Sequence, residues 1–97
     1  MRIIELKTWP SFFTALISGK KSFEVRFNDR SFSEGDILCL REFESNSYTG
    51  RQLFFEVTFI LDLHAFLLSV SDKKLDVIMA DDLTLGYVVL GIKRISG

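Results

Sequence analysis

From residue 22 to residue 28 the chain reads Ser-Phe-Glu-Val-Arg-Phe-Asn. Polar and apolar residues alternate one for one, with the period of a β-strand. This pattern predicts a strand over residues 22–27 with Ser22, Glu24, Arg26 and Asn28 on one face and Phe23, Val25 and Phe27 on the other. The apolar face is expected to enter the core, leaving a carboxylate and a guanidinium on the open side.

The same reading predicts a short strand at residues 3–7 and a helix over residues 10–18, with Pro10 tolerated in the first turn because its missing donor would be unpaired there anyway. The pairs Phe12/Leu16 and Phe13/Ile17 are four residues apart and give this helix an apolar face. Gly19 then stands where a left-handed residue would end it, and Lys20 and Lys21 follow at the negative end of the helix dipole. Asn28-Asp29-Arg30-Ser31 and Ser33-Glu34-Gly35-Asp36 read as turns.

Residues 37–44 form a third predicted strand and residues 45–50 a polar hairpin loop. Residues 51–61 are dense in phenylalanine and β-branched side chains and predict a long strand. Within residues 63–85, Ala65 to Leu68 fit a helical turn and residues 73–79 fit a short helix or an edge strand. A final strand is expected over residues 86–93, with Gly91 permitting a bulge or close backbone packing. Five or six strands with one early helix predict an α+β domain built on a small curled barrel.

Composition narrows the class. The 97 residues are 47% hydrophobic and include ten phenylalanines, which fits one domain over residues 1–97 with a modest core, the phenylalanines within it. No apolar run approaches the roughly 18 residues that cross a bilayer, and the N-terminus lacks a signal-peptide pattern, so a cytoplasmic chain is expected. The lone Cys39 excludes an internal disulfide and reads as a buried or half-buried thiol. No Cys/His spacing points to a metal. His64 reads as structural.

A net charge of −1 argues against avid, non-specific binding of nucleic acid. The charge is unevenly placed, however. Lys7, Lys20, Lys21, Arg26 and Arg30 fall in the first thirty residues and Asp62, Asp72, Asp76, Asp81 and Asp82 towards the end. A local positive cleft would suit a small anionic ligand or a short strand. Lys21 and Arg26 would give a phosphate one point charge and one planar fork. Glu24 could orient the arginine or accept from a base or ribose edge. The plainer reading is a surface ion-pair ladder. Arg30 could extend the positive rim, and Trp9 and Tyr48 could stack on a base or serve in packing.

Gly19-x-Lys21-x-x-Glu24-x-Arg26 resembles the signature of the ASCH domain, a branch of the PUA-like superfamily. Glu5-Leu6-Lys7, Phe12/Phe13, Asn28-Asp29-Arg30-x-Phe32, Gly35-Asp36-x-Leu38 and Gly86-Tyr87-Val88-Val89-Leu90 resemble a small ASCH-like family of bacteria and their phages. The resemblance implies a PUA-like barrel with a cleft between barrel and helix, where RNA or a nucleotide-like ligand is expected to bind, and no cofactor is expected. On this reading Lys21, Glu24 and Arg26 line the cleft, with Lys7, Lys20 and Arg30 on its rim. Some ASCH-fold proteins are amidohydrolases of acetylcytidine whose motif lysine activates a threonine three residues later. Here that position is Glu24, which cannot form the nucleophile, although it could act as a base for water. Two alternatives stay open beside a binding module. One is an amidohydrolase or nuclease acting on modified nucleosides or RNA through Lys21 and Glu24. The other is a phage or mobile-element accessory protein that engages a host protein through an apolar patch near residues 65–70.

Overall fold

A computed structural model describes residues 2–70 and 83–96. Its elements run β1 (Ile3–Thr8), α1 (Pro10–Ile17), β2 (Phe23–Phe27), β3 (Ile37–Glu44), β4 (Ser47–Asp62), α2 (Leu63–Val70) and β5 (Tyr87–Ser96). The predicted short helix or edge strand at residues 73–79 lies outside the described residues.

The five strands form one sheet in the order β1-β3-β4-β5-β2. β1 runs parallel to β3, and every other pairing is antiparallel. β1 and β2, joined directly by α1, are therefore the two edges. The sheet curls until these edges meet: Arg26 Nη2 on β2 donates to the backbone carbonyl of Lys7 on β1 at 2.9 Å. This is an α+β domain with a curled half-barrel sheet, a helix after the first strand, and a seam between the edge strands β1 and β2 that a side chain bridges.

The core fills the inside of the curl. Ile4 and Leu6 of β1, Leu38 and Leu40 of β3, Leu53, Phe55 and Val57 of β4, and Val88, Leu90 and Ile92 of β5 alternate inward. α1 packs against β3 and contributes Phe13 and Leu16. Phe12 and Ile17, their partners in the predicted apolar face, remain exposed. Gly19 ends the region as predicted, at φ +78°, and the amide of Lys21 donates back to the Ala15 carbonyl.

Several expectations change on contact with the structure. The polar loop shrinks to Ser45-Asn46, both at positive φ as a type I′ turn requires, and residues 47–50 join β4. Not all phenylalanines are core: Phe12, Phe23, Phe27, Phe59 and Phe66 are exposed. Gly91 faces the register shift between Val57 and Phe59 of β4. A Cβ there would stand 3.3 Å from Thr58 Oγ1 and 3.4 Å from Phe59 Cβ, so the bulge sits on the strand opposite the glycine.

The largest correction concerns β2. Its apolar face does not enter the core; Val25 is 48% exposed and Phe27 54%. Glu24 points inward instead and is 3% exposed. Outward, Phe27 packs edge-on against Tyr87 of β5 at 5.5 Å between centroids. β2 borders the seam, where the inward face meets an open groove rather than a partner strand. Groups that hydrogen-bond across the gap occupy that face.

A second inward carboxylate lies at the helix-capped end of the curl. Glu42 continues the Leu38-Leu40 face of β3 and is buried. It accepts from Arg51 Nε at 2.9 Å, Arg51 Nη2 at 2.8 Å and Thr49 Oγ1 at 2.7 Å, which holds its carboxyl below the usual range. At the other end Asp36 accepts from Arg2 Nη2 and from the Ser33 amide, both at 2.8 Å. The Arg2 guanidinium is the main cause that lowers its pKa. Gly35-Asp36 thus serves turn geometry, tied to Arg2 just before β1.

Candidate functional site

Glu24 organises the seam. Lys21 Nζ donates to its Oε2, and Arg26 donates to Oε1 through Nε at 3.0 Å and Nη2 at 2.7 Å. Residues 24 and 26 share the inward face by strand period. Lys21 reaches the same carboxylate because the chain emerges from the Gly19 cap at the base of β2. Its ammonium also donates to the Phe23 carbonyl at 2.7 Å and lies 5.4 Å from the Phe12 ring centroid and 5.1 Å from that of Phe23. Two aromatic rings therefore confine the cation.

These groups line a cavity of about 350 Å³ together with Lys7, Thr8, Trp9 and Phe12. Three cations (Lys7, Lys21, Arg26) stand against one carboxylate, so the lining carries a positive surplus. Trp9, 60% exposed, stands at the mouth beside the exposed Phe12. Thr8 is buried, and its Oγ1 is a buried side-chain oxygen without a hydrogen-bond partner among the described residues. A group of this kind is normally satisfied by something.

A second cavity, of about 440 Å³, lies on the other side of the Arg26 bridge. It shares Lys7 and Arg26 with the first and adds Glu5, Leu6, Phe27, Asp29, Arg30, Phe32 and Tyr48, so two carboxylates stand among its cations. Arg30 lies 3.8 Å from Asp29 and both are exposed. Of the six predicted binding residues, Lys21, Glu24, Arg26 and Lys7 meet at the first cavity and Arg30 reaches the second. Lys20 is exposed and lines neither.

Sequence reasoning missed Thr8, Phe12 as a lining group, and the Glu42–Arg51 pair. Thr8 and Glu42 are paired across β1 and β3, and in each strand the inward alternation ends on a polar residue. That interruption was the available signal. Arg51 also sets its guanidinium 4.9 Å from the Phe13 ring, so this pair closes the barrel end and lines no cavity described above. The remaining chemistry is sparse. His64 Nδ1 lies 3.0 Å from Thr84 Oγ1. Cys39 is buried, which pushes its thiol pKa up. Among the described residues no three of His, Cys, Asp or Glu are grouped to hold a metal ion, and no helix is long and apolar enough to cross a membrane.

The small curled half-barrel is a fold shared with another solved structure. The chain belongs to the family described as Domain of unknown function (DUF3850), which it matches over residues 3–92. It is 35% identical over 66 residues to an uncharacterized 12.9 kDa protein in the GpA 3′ region of Escherichia phage P2. That match covers 68% of this chain and 61% of the phage protein's length. The crystal structure of the hypothetical protein PH0355 superposes with a TM-score of 0.59 over 98% of this chain and 100% of that one, at 20% identity. That likeness is one of fold.

Proposed function

We propose that this chain is an RNA- or nucleotide-binding module of the ASCH/PUA-like kind, seating a base and its phosphate in the Glu24 cavity. The observation that carries the reading is a carboxylate 3% exposed, held by Lys21 and Arg26 on the wall of a cavity with a solvent-exposed tryptophan at its mouth. An ion-pair ladder that only decorates a surface has no reason to be buried or to line a cavity. Glu24 Oε2 accepts one described hydrogen bond and keeps capacity for a donor from a base edge. Arg26 Nη1 has no hydrogen-bond partner among the described residues and is free to meet a phosphate oxygen. Trp9 and Phe12 offer faces on which a base stacks.

The test is binding of the four ribonucleoside 5′-monophosphates and of short single-stranded RNA, followed by calorimetry at increasing salt. Affinity is expected to fall as salt rises, and a Lys21→Ala, Arg26→Ala double variant is expected to lose at least about tenfold. A double variant that is folded and binds as well as the wild type overturns the assignment.

The hydrolase alternative needs Glu24 as a base for water, since no threonine stands three residues after Lys21, and here that carboxylate is engaged by Lys21 and Arg26. Incubation with acetylated cytidine and a short RNA, read by mass spectrometry, separates the two. Turnover that Lys21→Ala abolishes would replace the binding module with an enzyme. The host-protein alternative is favoured by one observation: Phe66, Leu68 and Val70 of α2 are all exposed. A pull-down that recovers one protein and no nucleic acid would support it.

A further inference from the structure

The two seam cavities are neighbours rather than alternatives. Both are lined by Lys7 and Arg26, and Arg26 crosses the seam between them to the Lys7 carbonyl. Their volumes, about 350 and 440 Å³, fall at the low end of the roughly 300–1,000 Å³ that small-ligand sites span. Each is of the size of one nucleotide-like unit.

The outer face beside the seam carries a matching pattern. Trp9 and Phe43 meet edge-on at 6.3 Å and Phe43 and Tyr48 at 5.2 Å. Cations sit on this row: Lys7 Nζ is 4.4 Å from the Phe43 centroid and Arg41 Cζ 3.9 Å from that of Tyr48. The row starts at Trp9, which lines the first cavity, and ends at Tyr48, which lines the second. Aromatic rings interleaved with cations along a groove are the arrangement that follows a single strand, bases stacking while the cations meet the backbone.

We propose that the cavities are consecutive subsites for single-stranded nucleic acid: one base beside Glu24, the next against Tyr48, and the phosphate joining them held at the divide by Lys7 and Arg26. This rests on the nucleotide-binding reading above and adds the length and path of the ligand. Two cationic residues line both cavities, where a chain of nucleotides would have its internal phosphate. A lone mononucleotide in the first cavity would leave the second cavity, with its own aromatic and Arg30, without a use.

Titration calorimetry compares the four ribonucleoside 5′-monophosphates with ribodinucleotides, with deoxyribodinucleotides, and with ribodinucleotides whose internal phosphate is a neutral methylphosphonate. The ribo- or deoxyribodinucleotide is expected to bind at least about tenfold tighter than its better mononucleotide, with a salt dependence steeper by about 0.7 in log–log slope for the one added phosphate. The methylphosphonate ligand and the Tyr48→Ala variant should each lose most of that gain. The methylphosphonate arm leaves the protein unaltered, so its result is independent of how Tyr48→Ala folds. Equal affinity for mono- and dinucleotides overturns the two-subsite proposal and leaves the binding module standing. Binding of neither overturns both.

Discussion

Replacing Glu24 with glutamine keeps the shape of the side chain and removes its charge. The carboxylate accepts three charge-assisted contacts, one from Lys21 and two from Arg26. Hydrogen bonds to charged groups contribute about 1.5–3 kcal/mol net, against about 0.5–1.5 for neutral ones. Demoting three would cost on the order of 3 kcal/mol if all were sealed from water. The Lys21 and Arg26 side chains retain 15% and 25% of their exposure, so solvent returns part of this, and about 2–3 kcal/mol is expected. For a domain of this size each kcal/mol moves Tm by about 4–8 °C, which places Glu24→Gln roughly 10–20 °C below wild type by scanning calorimetry. A cycle with Arg26→Gln should show the two changes costing less together than separately, by about 1 kcal/mol or more. Because the carboxylate is buried, raising salt should alter the difference little. A shift below about 2 °C, or strict additivity with Arg26→Gln, would refute the reasoning. Glu24 would then be an exposed strand residue rather than the centre of a buried cluster.

The inverted strand has its own test by urea denaturation: Leu90→Ala, at a fully buried position, should cost about 2–5 kcal/mol, while Val25→Ala should cost less than about 1 kcal/mol. Gly86 sits at φ +87°, where a Cβ would stand 2.7 Å from Phe27 Cε1. Gly86→Ala should therefore destabilise by at least about 1 kcal/mol, and a Phe27→Ala background should relieve part of the loss. Asp36 and Glu42 both titrate below their ordinary values of 3.8 and 4.5. The unfolded chain takes up their protons first, so their contribution is complete above those values and is lost as pH falls through the lower folded ones. Acid unfolding followed by circular dichroism should steepen below about pH 4.5, and Asp36→Asn with Glu42→Gln should flatten it.

Strand and helix positions were legible where local chemistry decides them. Pro10 and Gly19 bracket α1 because one lacks a donor and the other tolerates positive φ. Gly91 marked a bulge because only a small residue admits the neighbouring chain so closely. The motif spacing brought Lys21, Glu24 and Arg26 to one place. Which face of β2 turns inward was not legible, because alternation separates two faces without saying which meets the core. That is settled by β1, nearly twenty residues earlier, standing across the seam. Glu42 was hidden for a related reason: its partner Arg51 arrives from the next strand. The loop at residues 45–50 was overdrawn because Ser-Asn is a weaker turn signal than Asn-Gly, and polar residues beyond the turn still pair in the ladder.

The bridge from Arg26 to the Lys7 carbonyl has a consequence for association. β2 and β1 are edge strands, and an edge with free backbone groups invites another chain to pair with it. β2 also turns Phe23, Val25 and Phe27 outward, which makes such pairing more attractive. The charged groups on its inward face oppose it, since a strand adding along that edge must displace Arg26 from Lys7 and disturb the ion pairs that satisfy the buried Glu24. The residues of the candidate site therefore also guard the molecule against polymerising. Substitutions that make the seam more apolar would remove this safeguard, so variants at Arg26 and Glu24 belong on a sizing column before they reach a binding assay.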